Sequence, residues 1–368
     1  MLHHGQILYE RNPDEKLYPA SLTKVLTGIV VMENADLTRT VTVSETAINS
    51  IEEGYVTSTL KAGEEYTIEE LLNVLMVSSA NDVAVVLAEN ISGSVDNFCA
   101  LMNKTATKIG CTNSNFINPN GTHNENHYST AHDLALIGKY SLKFDKLKEM
   151  FGKTSYTLES KNITYATTNE MLLSWNKNYY QYAQGLKTGF TTPAGNCLIA
   201  YAKKDGLELI SVVLNSSTSD NRYLETKMLL DYGFDNFSLK KFAGKGDVIQ
   251  TVSVKSATRK TKKLNLILEE DLYITVDNDL DLSTIHPETK INKKIKAPIE
   301  TGTVLGTTSY TLNGITYSRN LIAENSVKSS HLFLKFTIFF IVLFLLLAVL
   351  KLRKNKLKNK RIRMMKKL

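Results

Sequence analysis

The sequence predicts an α+β chain in three parts. A mixed helix-and-strand domain covers residues 1–235 and a small, mostly β domain covers 237–325. A transmembrane helix follows at 332–352, and 353–368 form a basic tail. Three observations carry this. Apolar residues recur at helical spacing behind capping signals in the first part. Past about Phe237 the texture changes to short runs of strand length. Close to the end, every residue between Lys335 and Lys351 except Thr337 is apolar.

In chain order, residues 21–31 place Leu22, Val25, Leu26, Ile29 and Val30 on one helical face. Thr67-Ile-Glu-Glu has the form of a capping box ahead of LLNVLMV, and Thr130-Ala-His-Asp opens LALIGKYSL with Asp133 in the first turn. Residues 198–202 and 209–214 read as strands joined through Lys203-Lys-Asp-Gly206. In the second part, VIQTVSV, LNLILEE, LYITVD and VLGTTSY are strand-like, and Asn313-Gly314 between TSYTL and ITYSRN is a strong hairpin signal. A helix from Leu332 to Leu352 would span ~31 Å, enough for a bilayer core.

Composition restricts the function class. Hydrophobic residues make 43% of the 368 and charged residues 22%, which excludes wholesale disorder. The net charge of +7 is local: residues 351–368 hold 10 basic and no acidic side chains, and the remaining body carries −3. Nucleic acid is therefore not an expected partner of the body. The tail reads instead as a topology signal that keeps 351–368 in the cytoplasm and places 1–330 outside, with contact to anionic lipid. Cys99, Cys111 and Cys197 read as small buried hydrophobes, no metal-ligand spacing is visible, and no cofactor is called for.

The chemistry-bearing candidates are S-x-x-K, S-x-N and K-T-G. S-x-x-K occurs at Ser21, Ser58, Ser174 and Ser238; S-x-N occurs at Ser79, Ser160, Ser174, Ser219 and Ser318; Lys187-Thr188-Gly189 is unique. Context selects among the copies. Ser21 follows Pro19-Ala20 and opens a helix, where i and i+3 share a face and Lys24 reaches the hydroxyl. That helix start also leaves the Ser21 N–H free for an oxyanion. Ser79-Ala80-Asn81 separates two apolar helical runs as a turn presenting polar tips. Ser219-Asp220-Asn221 comes after K-T-G in a Ser/Thr-rich loop and is rejected. Lys187 and Thr188 can donate to a carboxylate, and Gly189 permits close approach of a substrate backbone.

PASLTK at 19–24, SSANDVA at 78–84 and GLKTGFT at 185–191 resemble, in order, the three motifs of serine D-alanyl-D-alanine carboxypeptidases, the low-molecular-mass penicillin-binding proteins of peptidase S11 type. NPNG at 118–121, HYSTAHDLA at 127–135 and NRYLETKMLLDYGF at 221–234 also resemble that family. The resemblance implies a penicillin-binding-protein/β-lactamase-like transpeptidase domain, an antiparallel sheet with helices, followed by the small β domain and a membrane anchor. It implies that Ser21 is acylated, Lys24 is its general base and Ser79 relays a proton. Asn81 would bind the substrate amide, the N–H groups of Ser21 and Phe190 would form the oxyanion hole, and Lys187, Thr188 and Arg222 would hold the terminal carboxylate. The implied partners are peptidoglycan stem peptides ending in D-Ala-D-Ala, β-lactam antibiotics as inhibitors, and the cytoplasmic membrane. His123, His127 and His132 lie outside the three motifs and read as structural or surface residues.

Two other readings compete: a β-lactamase, which would need a glutamate-led loop not seen between Ser79 and Lys187, and a catalytically inactive wall-binding homologue. MLHHGQILYERNPDEK lacks the apolar core of a signal peptide. Relatives carry a signal and a first strand before the segment similar to GQILYE. The expectation is therefore an N-terminally truncated catalytic domain whose GQILYE strand is left as an edge.

Overall fold

The structure, a computed structural model, describes residues 2–3, 6–292, 294–330 and 332–365. Two compact units emerge, one of residues 1–239 with 275–280, the other of 240–274 with 281–368.

In the first unit six strands form one antiparallel sheet in the order Gln6–Ile7, Leu2–His3, Leu207–Ser216, Gly195–Lys204, Ala183–Gly185, with Thr188–Thr191 also pairing on Gly195–Lys204. Gln6–Ile7 is thus the outer strand at one side, and it keeps a strand neighbour, since Leu2–His3 lies between it and Leu207–Ser216. Leu2 pairs with Ile210. The two long strands are one hairpin, longer at each end than the apolar runs suggest. Asp205 and Gly206 both take positive φ at its turn, the backbone a two-residue hairpin needs.

Period-2 alternation divides the long strands between two cores. Ile199, Tyr201 and Ile210 join a cluster with the helices Thr23–Asn34, Ile68–Ser78, Asn81–Ser92 and Val95–Ile109. Leu198, Ala200, Ala202, Leu207 and Leu209 join another with Tyr223, Leu230 and Phe234 of the helix Ser219–Asn236. The sheet is therefore covered on both faces. The capping box at Thr67 is complete, and Thr130 Oγ1 accepts from the Asp133 N–H at 3.1 Å. One expectation fails in an informative way. The helix after Ser21 is buried all round from Thr23 to Val31, polar positions included, so it has no solvent face. Four helices surround it. Only a lysine with a dedicated set of acceptors survives in that position.

In the second unit five antiparallel strands run in the order Val248–Ser253, Lys263–Leu268, Ile315–Ala323, Val304–Leu312, Glu288–Ile291. Asn313-Gly314 turns the central hairpin with both residues at positive φ. Leu264, Leu266, Leu268 and Leu321 fill its core. The C-terminal helix runs Leu332–Met365, past the apolar stretch and into the basic tail. Lys, Arg, Leu and Met are good helix formers, and no Gly or Pro interrupts them. Among the described residues this is one helix long and apolar enough to cross a membrane.

Candidate active site

Three separate parts of the first unit supply the site. Ser21 sits in a 3₁₀ turn, Ala20–Leu22, that runs into the buried helix. Lys24 Nζ lies 2.8 Å from Ser21 Oγ, 2.8 Å from Asn81 Oδ1 and 2.6 Å from the Asn120 carbonyl oxygen. Asn81 opens the helix Asn81–Ser92, and its Nδ2 donates to the Val56 carbonyl at 2.8 Å. That bond fixes the amide with its oxygen toward Lys24. It leaves one N–H of Asn81 for a substrate carbonyl, fewer free groups than the sequence suggests.

Ser79 ends the helix Ile68–Ser78 with φ 68°, a left-handed conformation uncommon for a residue with a β-carbon. Its side chain is nearly buried beside Asn81. Asp82, 2% exposed, accepts from the Ser58 N–H and hydroxyl, and so anchors the segment that carries Val56.

Burial, and then the Lys187 charge, push the Lys24 pKa well below that of an ordinary lysine; Asp82 opposes them weakly. Lys187 is likewise buried, and its pKa is lowered to about 7 by burial and by Arg222. Its Nζ donates to the Thr188 carbonyl at 3.2 Å and lies 3.4 Å from Thr168 Oγ1, which is 2.6 Å from Thr188 Oγ1. Arg222 is buried as well and not a solvated helix-start residue. It donates to the Gly189 carbonyl at 3.3 Å and to Ser219 Oγ and Tyr223 Oη at 3.1 Å, while its buried Nε has no partner. Among the described ion pairs neither Lys187 nor Arg222 has a carboxylate. Two buried cations side by side without an anion form a receptor for one.

Strand register sets where the backbone N–H groups of Thr188–Thr191 point. Lys187 and Ile199 exchange both backbone hydrogen bonds. In an antiparallel ladder the bonded pairs alternate, so Phe190, opposite Asn196, is a non-bonded pair and directs its N–H away from the sheet. Ser21, in the first turn of its 3₁₀ helix, has no intrahelical acceptor for its own N–H. A β-carbon on Gly189 would lie 3.1 Å from the Pro19 carbonyl and 3.2 Å from Ser21 N. Gly189 therefore admits the Ser21 turn against the strand, where the sequence suggests close approach by substrate. The rejected Ser219 contributes only through Arg222, and Ser238 lies on a strand, where i and i+3 point apart.

The floor of the site comes from a segment outside the three motifs. The Asn118-Pro119-Asn120-Gly121 turn lies against the Ser21 turn: Thr27 Oγ1 donates to the Pro119 carbonyl at 2.6 Å, and Asn118 Oδ1 accepts from the Gly121 N–H at 2.7 Å. Gly121 has φ +82°, and a β-carbon there would land on the Ala20 carbonyl. His127 holds the far side. Its Nδ1 accepts from the Ile117 N–H at 3.2 Å, so Nε2 carries the proton and donates to Thr23 Oγ1 at 2.8 Å. Burial, with the Lys24 charge, lowers its pKa to about 4 and keeps it neutral. NPNG is the one visible signal, since a glycine after Asn-Pro-Asn marks a tight turn.

Comparison with known proteins agrees with this geometry. The family model for D-alanyl-D-alanine carboxypeptidase matches residues 2–218. The chain belongs to the D-alanyl-D-alanine carboxypeptidase family. A second model, for the C-terminal domain of penicillin-binding protein 5, matches 237–329. The chain is 34% identical over 311 residues to the D-alanyl-D-alanine carboxypeptidase DacF of Bacillus subtilis, covering 82% of this chain and 77% of that one. It is 32% identical to DacC of Escherichia coli, covering 89% and 83%. Among solved structures, penicillin-binding protein 5 of Haemophilus influenzae matches with a TM-score of 0.70 at 32% identity, covering 89% and 95%. PBP3 of Streptococcus pneumoniae, described as a peptidoglycan synthesis regulatory factor, matches with 0.75 at 27%, covering 88% and 96%. As a D-alanyl-D-alanine carboxypeptidase the chain is a serine hydrolase of cell-wall biogenesis with a penicillin-binding fold.

Proposed function

We propose that Ser21 is the residue acylated by stem peptides ending in D-Ala-D-Ala, and that Lys24 activates it. The observation that carries this is the hydrogen-bond set of Lys24. A neutral amine has two N–H donors and one lone pair. The Asn81 and Asn120 oxygens take the two donors, so the lone pair is left facing Ser21 Oγ. Lys24 then removes the Ser21 proton as Oγ attacks the carbonyl of the penultimate D-alanine. The negative oxygen forms between the N–H groups of Ser21 and Phe190, each such donor contributing ~3–4 kcal/mol at the transition state. Collapse expels the terminal D-alanine, whose amine takes the proton back from Lys24 by way of Ser79. Water then cleaves the Ser21 ester, with Lys24 again accepting the proton, and the shortened peptide departs. The terminal carboxylate is held by Lys187, Thr188 and Arg222, and the Asn81 N–H bonds the substrate amide. Penicillin, which carries a carboxylate beside a strained amide, acylates the same serine.

Anchoring through the apolar helix, with the catalytic domain outside the cytoplasmic membrane as the basic residues after Lys351 indicate, completes the reading. The test is labelling with a fluorescent penicillin together with release of D-alanine from a diacylated Lys-D-Ala-D-Ala peptide. The wild type should do both and Ser21→Ala neither. Labelling of Ser21→Ala would overturn the assignment.

A further inference from the structure

The second unit carries an unpaired basic patch at the place where its chain passes to the apolar helix. Three segments meet there. Lys255 N–H donates to the Ile295 carbonyl at 3.0 Å, and Ala297 N–H to the Lys255 carbonyl at 2.9 Å. Ser330 N–H donates to the Ser256 carbonyl at 2.8 Å, and Ile299 and Val327 exchange bonds at 2.9 and 2.8 Å. Strand alternation then sorts the side chains. Val254, Ile295, Ala297 and Val327 point into the core, while Lys255, Lys294, Lys296 and Lys328 are exposed. The turn following Lys255 adds Arg259, Lys260, Lys262 and Lys263, all exposed. No acidic residue occurs between 248 and 268, or between 289 and 299. Among the described residues none of these eight cations forms an ion pair; the second unit's ion pairs involve Lys241, Lys290 and Arg319.

We infer that this patch rests on the anionic phospholipid headgroups of the leaflet that the Leu332–Met365 helix enters. The inference depends on the anchoring reading above. Chain continuity supplies the argument. Ser330, bonded to Ser256, is two residues from Leu332, so at most ~7 Å of chain separates this edge from the start of the helix. The headgroup layer beside a bilayer core is itself ~5–8 Å deep. Whatever the angle of the helix, the Ser256–Ser330 edge, flanked by Lys255 and Lys328, therefore lies within or against that layer, and the rest of the patch continues from it. A cluster of four to eight basic residues beside a membrane helix is the composition that anionic lipid attracts. Here the cluster is held on folded strands.

The full chain in lipid nanodiscs tests this, with a water-soluble amine-acylating reagent as footprint and mass spectrometry as readout. In discs containing phosphatidylglycerol, Lys255, Lys296 and Lys328 should be acylated about threefold or more slowly than in pure phosphatidylcholine discs, and high salt should remove the difference. Lys108 and Lys203 of the first unit serve as controls. In Lys255→Gln/Lys296→Gln/Lys328→Gln, the rate at Lys294 should no longer depend on lipid. Equal footprints in both discs, with the chain co-migrating with both, would refute the patch and leave anchoring intact. Failure to co-migrate with either disc would refute anchoring and the patch together. Protection by a soluble polyglycerol phosphate, without protection by the anionic disc, would assign the patch to a wall polymer and overturn the lipid assignment.

Discussion

Lys24 and Lys187 occupy one site and are both removed from water, yet their partners divide the work. Lys24 has two well-placed carbonyl acceptors and a hydroxyl. Lys187 has one long carbonyl contact and a distant threonine, with Arg222 nearby as a second positive charge. The rate of acylation by a carboxylate-bearing substrate should therefore rise with pH as Lys24 loses its proton. It should fall at higher pH as Lys187 loses its own, and a pH profile of D-alanine release should be bell-shaped. Lys24→Arg should abolish acylation because a guanidinium keeps its proton, whereas Lys187→Arg should retain part of it. Equal, mild losses in both variants, read by penicillin labelling, would contradict this division. The residues proposed to do the chemistry are legible in the sequence because most of them lie in three short motifs. Asn120 and His127 lie in segments the resemblance picks out, but their contacts are not legible, since they reach Lys24 and Thr23 across 96 and 104 residues of chain through a backbone carbonyl and a second hydroxyl.

Helix and strand signals written in neighbouring residues survive folding. Thr67 and Thr130 cap their helices, and Asn313-Gly314 turns its hairpin, because each rule needs only a few residues of context. Thr67→Ala should cost ~1 kcal/mol and lower the melting temperature of the catalytic unit by a few degrees, measurable by calorimetry. The helix after Ser21 obeys no local rule. Its apolar spacing predicts a solvent face, and only the surrounding helices remove it. The Asn118-to-Gly121 turn has the same dependence. Gly121→Ala, at φ +82° against the Ala20 carbonyl, should displace the turn that holds Lys24 and cost roughly 1–3 kcal/mol. Penicillin labelling should slow in that variant even at temperatures where it stays folded. Unchanged labelling would show that the turn does not position the base.

Across the whole molecule, the change from helical to strand texture near Phe237 and the apolar run before Lys351 are legible because each has its own periodicity, whereas the assignment of 275–280 to the first unit is not. What composition cannot reveal is how far each part continues: the terminal helix runs through the basic residues, and the long hairpin extends beyond its apolar core. Removing residues 332–368 should release a protein that no longer floats with vesicles and still takes up penicillin at Ser21. Loss of labelling in that form would mean that the anchor contributes to the fold of the site.

Carboxylate binding at Lys187, as proposed, would make the proton a co-ligand of the substrate. Unfolded, Lys187 would titrate near 10.5; folded and empty, it titrates at about 7. Its burial penalty is therefore present in full below about pH 7 and fades as pH rises toward 10.5, because the unfolded chain then holds more protons than the folded one. An arriving carboxylate reverses this by giving the ammonium its missing counter-charge. Above pH 7, binding should draw a fraction of a proton from the buffer. Calorimetric titration of Ser21→Ala with diacylated Lys-D-Ala-D-Ala at pH 8 should then give different enthalpies in phosphate and in Tris, in proportion to their heats of ionisation. Identical enthalpies would mean that the carboxylate is received by Arg222 with Lys187 already charged, or that it binds elsewhere.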